Sequence, residues 1–175
     1  MELFIGLDTP PAIKRELERV QNQLRLFDPK GAYEPSINFH LTLRYIGESP
    51  DVRTIVERME QIECEGFNLT LHELGLFEHS ERNVVWSNVQ EEPRLQALQL
   101  EVDRRLSDMG IGTASFLFNP HISLAFHCRS DIPDAFPSCT ISPLSFKVCG
   151  FHLYEVEHTQ EGKRFRKLRD FKLRE

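Results

Sequence analysis

One short pattern occurs twice in this chain of 175 residues, and it limits the fold more than any other feature. Asn38-Phe39-His40-Leu41-Thr42-Leu43 and Asn119-Pro120-His121-Ile122-Ser123-Leu124 both read N-x-H-[L/I]-[T/S]-L. The histidines stand 81 residues apart (121 − 40), close to half the chain. Each copy follows an expected strand, an amphipathic helix and a loop. One such match carries no weight. Two, in the same setting, predict two similar lobes that face each other within a single unit, residues 1–175, with one motif in each internal repeat.

Successive side chains of a strand point to opposite faces. His40, Thr42 and Arg44 therefore share one face, and Leu41, Leu43 and Tyr45 take the other. In the second copy His121, Ser123 and Ala125 lie together, opposite Ile122, Leu124 and Phe126. Each lobe sends an imidazole and a hydroxyl the same way while large apolar residues enter the core. Two facing lobes make a cleft with two histidines and two hydroxyls.

The rest of the chain supports this frame. Leu3 to Leu7 is a short apolar run, a buried strand. Asp8-Thr9-Pro10-Pro11 caps a helix whose inner face is Ile13, Leu17, Val20, Leu24 and Phe27. Pro29 to Pro35 reads as a loop and Phe39 to Ile46 as a strand. Ser49-Pro50-Asp51 starts a second helix, with Val52, Ile55, Val56, Met59 and Ile62 inward. Asn68 to Leu76 and Asn83 to Val89 alternate like strands, joined by a polar connection containing His79, Ser80 and Glu81. Leu95, Leu98, Val102, Leu106 and Met109 mark a third helix, closed by Gly110. Ser115 to Leu117 is expected to be extended and His121 to His127 to be a strand. Leu144 to Glu157 and Phe165 to Leu173 complete the set, with a turn near Glu161-Gly162. The order β-α-β-α-β-β-α-β-β-β predicts an α+β fold with antiparallel sheets.

Two histidines and two hydroxyls suit metal-free phosphodiester chemistry. Histidine exchanges a proton near neutral pH, so one neutral and one protonated copy can coexist. The neutral copy takes a proton from water and the protonated copy gives one to the leaving alkoxide. Thr42 and Ser123 can donate to the non-bridging phosphate oxygens. The rival for such a pair is a zinc site, but no third ligand stands at metal-site spacing. No cofactor is implied, and the glycines follow neither dinucleotide nor P-loop spacing.

Charge narrows the partners. The chain carries −6, yet Lys163 to Arg174 holds seven basic residues and one acid, net +6, which leaves −12 elsewhere. Such a protein is a poor wrapper of long nucleic acid. Its basic strip can hold a short anionic end, or simply defend a strand edge. No stretch approaches the ~20 apolar residues of a membrane span. The start MELFIGLDTPP lacks the basic region of a signal peptide. Cys64, Cys128, Cys139 and Cys149 form no C-x-x-C pair, so reduced thiols in the cytoplasm are expected.

FHLTL and PHISL resemble the paired H-x-[T/S]-x motifs of the 2H phosphoesterase superfamily. LFIGLD, NFHLTLRYIGE, NVVWSNV and FHLYEVEHTQEGKRFRKLRDFKL are similar to its RNA 2′,3′-cyclic phosphodiesterase branch, also called 2′-5′ RNA ligase-like. The resemblance implies a bilobal fold with pseudo-two-fold symmetry, two antiparallel sheets facing a central cleft, and helices outside. It implies hydrolysis of RNA 2′,3′-cyclic phosphate ends, or of small cyclic nucleotides, to 2′-phosphates by a cofactor-free monomer. Reversal would be 2′-5′ ligation. It assigns proton donation to His40 and acceptance to His121, which the near-symmetric motifs alone do not order. The second motif departs in having Ser123 for threonine. It also has Phe126 where relatives carry a basic residue, and the nearest arginine is Arg129. Arg44 and Arg164 are candidate substitutes as substrate contacts. Trp86 is a candidate for base stacking or core packing, and Tyr154 for the cleft lining or the core. His72, His79, His127, His152 and His158 read as surface or structural. The rival from another class is a non-catalytic RNA-end binding module using the same cleft.

Overall fold

The computed structural model describes residues 1–49, 51–79, 82–112 and 118–175. The extended stretch expected at Ser115 to Leu117 lies outside the described residues, as do Pro50, Ser80 and Glu81.

The first strand, β1 (Glu2–Asp8), buries Leu3, Phe4, Ile5 and Leu7. The helix α1 (Pro11–Phe27) then follows with Pro11 at its first turn, where the missing N–H costs nothing. Pro10 itself offers no side-chain cap, and the Thr9 hydroxyl instead donates to the Phe39 carbonyl at 2.9 Å. The inward face is Ile13, Leu17, Val20 and Leu24, joined by two buried polar residues, Glu16 and Gln21. The expected loop from Pro29 to Pro35 contains a two-residue strand, β2 (Ala32–Tyr33), too short for any periodicity to show. A 3₁₀ turn over Ser36–Asn38 leads into β3 (His40–Glu48), the first motif strand.

The helix α2 (Val52–Glu60) is capped by the Asp51 carboxylate, which accepts from the Thr54 amide at 3.1 Å. Strands β4 (Phe67–Phe77) and β5 (Val84–Val89) pair antiparallel. They are followed by α3 (Pro93–Ser107), with Leu95, Leu98, Val102 and Leu106 buried. Gly110 ends it at φ +82°, a conformation only glycine adopts freely. The second motif strand is β6 (His121–Phe126).

The run from Leu144 to Glu157 is two strands, β7 (Ser145–Val148) and β8 (Gly150–Thr159), rather than one. The chain changes sheets at Cys149: β7 pairs with β4, whereas β8 pairs with β1. The inward residues fall on even positions in β7 (Phe146, Val148) and on odd ones in β8 (Phe151, Leu153), so the alternation changes phase at the break. The last strand, β9 (Gly162–Lys172), forms a long hairpin with β8.

Two antiparallel sheets result, with orders β3-β1-β8-β9 and β2-β6-β5-β4-β7. The repeated unit is now visible: β1-α1-β3 in one lobe corresponds to β5-α3-β6 in the other. Each motif strand pairs with the strand that precedes its helix, and β3 and β6 touch across the lobes. The helices cross over. Gln21 of α1 donates to the Leu124 carbonyl of β6 at 2.9 Å, and Gln99 of α3 donates to the Leu43 carbonyl of β3 at 3.3 Å. Both carbonyls belong to the third residue after a motif histidine.

Gly150 marks the crossing between sheets because no side chain fits there. A Cβ would stand 2.5 Å from the Phe171 carbonyl oxygen, a backbone atom of β9. Gly150→Ala is therefore expected to destabilise the protein by about 1–3 kcal/mol, as overpacking does. Urea unfolding checks this: the midpoint falls with little change in slope, and an unchanged midpoint contradicts so close a packing.

Candidate active site

Each motif histidine is oriented by its own strand. His40 Nδ1 lies 2.7 Å from the Asn38 carbonyl, and His121 Nδ1 lies 2.7 Å from the Asn119 carbonyl. A carbonyl only accepts, so each Nδ1 carries the proton and each Nε2 presents its lone pair. The Thr42 hydroxyl donates to His40 Nε2 at 3.0 Å. Asn38 is itself anchored, its side-chain amide donating to Glu34 Oε1 and to the Lys163 carbonyl. The asparagines of the N-x-H pattern thus serve through their backbone oxygens.

The entry to β3 is pinned as well. Lys14 Nζ donates to Asp8 Oδ1 (3.2 Å), Thr9 Oγ1 (2.8 Å) and the Phe39 carbonyl (3.2 Å). Lys167 Nζ donates to Asp8 Oδ2 at 2.7 Å. This cluster has no motif in the sequence. It joins β1, α1, β3 and β9, which are distant along the chain.

Aromatic rings wall both imidazoles. His40 meets Phe165 edge-on at 4.7 Å and Phe4 at 4.8 Å between ring centroids. His121 meets Phe77 edge-on at 4.9 Å. Burial pushes His40 down to about 4; its Asn38 carbonyl opposes this, and His121 adds to it. Burial also lowers His121, again opposed by its carbonyl partner. The protein without a ligand thus favours the neutral form of both. The aromatic walls remove the water that would stabilise a charge. An anion bound between the rings would supply the opposite push.

A cleft of about 970 Å³ is lined by residues of both motif strands, including Thr42, Arg44, Asn119 and His121. His79 and Phe77 also line it, although His79 reads from sequence as surface or structural. A smaller cavity of about 330 Å³ flanks His40 and is edged by Asn38, Tyr154, Phe165 and Lys167.

The remaining candidates fall in different places. Ser123 lies two residues beyond His121, opposite Trp86 in the pairing with β5. Ala125 is fully buried, so the expected His121–Ser123–Ala125 face ends early; the register with β5 shifts between Val85 and Trp86. Trp86 is half-buried between Phe77 and His121, with centroids at 5.2 and 6.4 Å. Its indole covers Gly75, where a Cβ would come within 2.1 Å of the ring. Tyr154 is 4% exposed and stacks on Phe4, and its hydroxyl has no partner among the described residues. Burial raises its pKa, with Asp8 and Asp170 adding to the effect.

Arg44 Nε donates to Asp103 at 2.7 Å, so an ion pair joins β3 to α3. Arg164 donates to the Lys163 carbonyl and faces Glu161 at 3.6 Å. Phe165 points at His40, so Arg164 emerges from the opposite face of β9. Arg129 is paired with Asp131 and lies over Phe27. The Phe126 ring is covered by the Arg82 guanidinium at 5.4 Å, a contact between loop and strand that sequence spacing does not reveal.

Among the described residues, no three His, Cys, Asp or Glu side chains gather as a metal site requires. Nor is any helix of these residues long and apolar enough to cross a membrane. The four cysteines are free thiols.

Two facing antiparallel sheets with helices outside, and a repeated histidine strand in each, define the fold of a 2H phosphoesterase. The chain belongs to the 2′-5′ RNA ligase superfamily, which it matches over residues 9–160. It is 40% identical over 92 residues to the RNA 2′,3′-cyclic phosphodiesterase of Aeropyrum pernix. That match covers 50% of this chain, and the chain spans only about half (52%) of the relative's length. The crystal structure of E. coli LigT in apo form superposes with a TM-score of 0.83 at 26% identity, covering 99% of this chain and 98% of that one. The same E. coli protein complexed with 3′-AMP gives 0.79 at 26% identity, covering 98% and 96%.

Proposed function

We propose that this protein hydrolyses the 2′,3′-cyclic phosphate ends of RNA, or of small cyclic nucleotides, to 2′-phosphates, without a metal. The observation that carries the reading is the pair of imidazoles with matched tautomers. Each holds its Nδ1 proton on a carbonyl two residues earlier, which leaves Nε2 for the substrate. The name of the Aeropyrum pernix relative and the 3′-AMP complex of E. coli LigT support the same substrate class.

In this reading the phosphate anion lies between the two rings and raises the pKa of both. His121 Nε2 takes a proton from water as the water oxygen attacks phosphorus. The bond from phosphorus to the 3′-oxygen breaks, and protonated His40 gives its Nε2 proton to that oxygen. The products are a 2′-phosphate and a 3′-hydroxyl. Once His40 Nε2 carries a proton it no longer accepts from Thr42, and the hydroxyl is released to donate to a non-bridging oxygen. Ser123 is assigned the matching role from the second strand. A 5′-hydroxyl in place of water would attack the same phosphorus, with the 3′-oxygen leaving as a hydroxyl, and give a 2′-5′ linkage; water at its bulk concentration outcompetes it.

Both motifs come from one chain, so a monomer is sufficient. Free thiols at all four cysteines are consistent with residence in the cytoplasm.

Turnover of a nucleoside 2′,3′-cyclic phosphate, measured in excess chelator with the product's phosphate position determined, tests this directly. The wild-type protein is expected to yield the 2′-phosphate. His40→Ala and His121→Ala each lose at least about a hundredfold in kcat, the scale of one general acid or base. The double variant is little worse, because the two act as a unit. Binding without turnover supports the RNA-end binding module instead. Activity that chelator removes and zinc restores moves the chemistry to a metal.

The pH profile gives a second check. Catalysis needs one imidazole charged and one neutral, so kcat/KM is bell-shaped, with limbs that belong to the pair. Free-enzyme groups govern kcat/KM, and burial lowers both histidines, His40 to about 4. The bell is therefore expected to peak below about pH 6.5, the ordinary histidine value. The profile of kcat, taken with the anion bound, is displaced to higher pH. A kcat/KM maximum well above pH 7 contradicts the lowering of both histidines by burial.

A further inference from the structure

We infer that Arg44 holds the phosphate on the 5′ side of the terminal nucleotide, so that the cleft selects a cyclic end continuing into an RNA strand over a free cyclic nucleoside. The inference rests on the hydrolase reading and names the substrate of that same cleft.

Arg44 follows Thr42 by two residues along β3, past an irregularity at Leu43 where Gly6 pairs with Thr42 and Ile5 with Arg44, and both residues line the cleft. A two-residue step is at most about 6.6 Å, and with the length of the arginine side chain it is within the reach across one ribose, from a phosphate on the 2′ and 3′ oxygens to one on the 5′ oxygen. With Thr42 at the terminal phosphate, Arg44 stands at the next. The cleft of about 970 Å³ that both residues line extends well beyond a terminal phosphate group. Apolar surface for the adjoining base is at hand, since Tyr45 (53% exposed) and Leu100 (67% exposed) border the same space.

The side chain is built to receive an anion. Its exposure is 10%, and Asp103 fixes it through Nε. Nη1 donates to the Tyr45 carbonyl, but buried Nη2 has no hydrogen-bond partner among the described residues. A buried charged donor left unpaired is costly. A phosphate oxygen accepting from Nη2 resolves that cost through a charge-assisted hydrogen bond. Asp103 lies on α3, the helix of the other repeat, so the guanidinium is held from across the lobe boundary.

The smaller cavity is a weaker anion site although it contains two lysines. The three hydrogens of Lys14 are engaged by Asp8, Thr9 and Phe39, and Lys167 is paired with Asp8.

The test compares a nucleoside 2′,3′-cyclic phosphate bearing a 5′-hydroxyl with the same compound bearing a 5′-phosphate. Because both are measured on one preparation, the ratio of their kcat/KM values is independent of the folded fraction. Wild type is expected to prefer the 5′-phosphate about ten- to a hundredfold, the scale of a hydrogen-bonded charge. Arg44→Gln brings the ratio near one. Arg44→Lys, which keeps a charge opposite Asp103 but not the fork, loses most of the preference. Asp103→Asn retains it, because the guanidinium remains. The salt dependence of kcat/KM for the 5′-phosphorylated compound is also weaker in Arg44→Gln than in wild type, because one charge–charge contact open to screening is gone. A wild-type ratio near one, or a ratio unchanged in Arg44→Gln, overturns the assignment. If wild type turns over neither compound, the hydrolase reading fails. Arg44 is then judged by the affinities of a nucleoside 2′-phosphate with and without a 5′-phosphate, where the same loss of preference in Arg44→Gln is expected and equal preference overturns it.

Discussion

Two glutamine side chains fix the distance between the lobes at the place where it matters. Gln21, on the helix that follows β1, donates to a carbonyl of β6, and Gln99, on the helix that follows β5, donates to a carbonyl of β3. Each motif strand is thereby held by the helix of the other repeat. The bonded carbonyls, Leu124 and Leu43, sit three residues past His121 and His40. A lobe that moved away would give up both bonds, although the Leu124 carbonyl would still accept from the Glu34 amide at 2.9 Å. Two histidines from separate halves of a chain act on one phosphate only if their separation is set to a fraction of an ångström. In the proposed reaction the crossed bonds help to hold it.

The chemistry of the cleft comes from enclosure more than from net charge. The chain is acidic overall, and its basic strip lies largely on β9, the edge strand of its sheet. There Arg166 is paired with Glu155 and Glu157, and Lys167 with Asp8. Phe165 is the residue of that strand that faces His40. Aromatic walls lower the proton affinity of both imidazoles, while backbone carbonyls fix their tautomer. In the proposed reaction protonation follows arrival of an anion, and both imidazoles are oriented before substrate binds.

The repeated hexapeptide makes the site legible. It locates β3 and β6, and period-two alternation alone places Thr42 beside His40. The helix faces are equally plain, because Ile13, Leu17, Val20 and Leu24 recur at helical spacing. What escapes the sequence is whatever depends on contacts between distant segments. Gln21 lies on an inward helix face, but a polar side chain there gives no hydrophobic signal. Phe4, Phe77 and Phe165 reach the histidines from three strands, and any of them reads as ordinary core. The switch between sheets at Cys149 leaves only a change of phase, from Phe146 and Val148 to Phe151 and Leu153, which reads as an irregularity in one strand. The early burial of Ala125 follows from a register shift against β5, which is a property of the pair of strands and not of either one.

The claim on which the rest depends is that His40 and His121 present Nε2 to one shared phosphate. Nitrogen-15 NMR of the imidazoles, with each histidine assigned from its single variant, measures this in solution. The free protein is expected to show the Nδ1-protonated neutral tautomer for both rings at pH 7, as their carbonyl partners require. Adding a nucleoside 2′-phosphate then shifts the Nε2 resonances of both rings together, at one affinity. An Nε2-protonated tautomer at either histidine in the free protein, or a response from only one ring, would contradict a shared phosphate site.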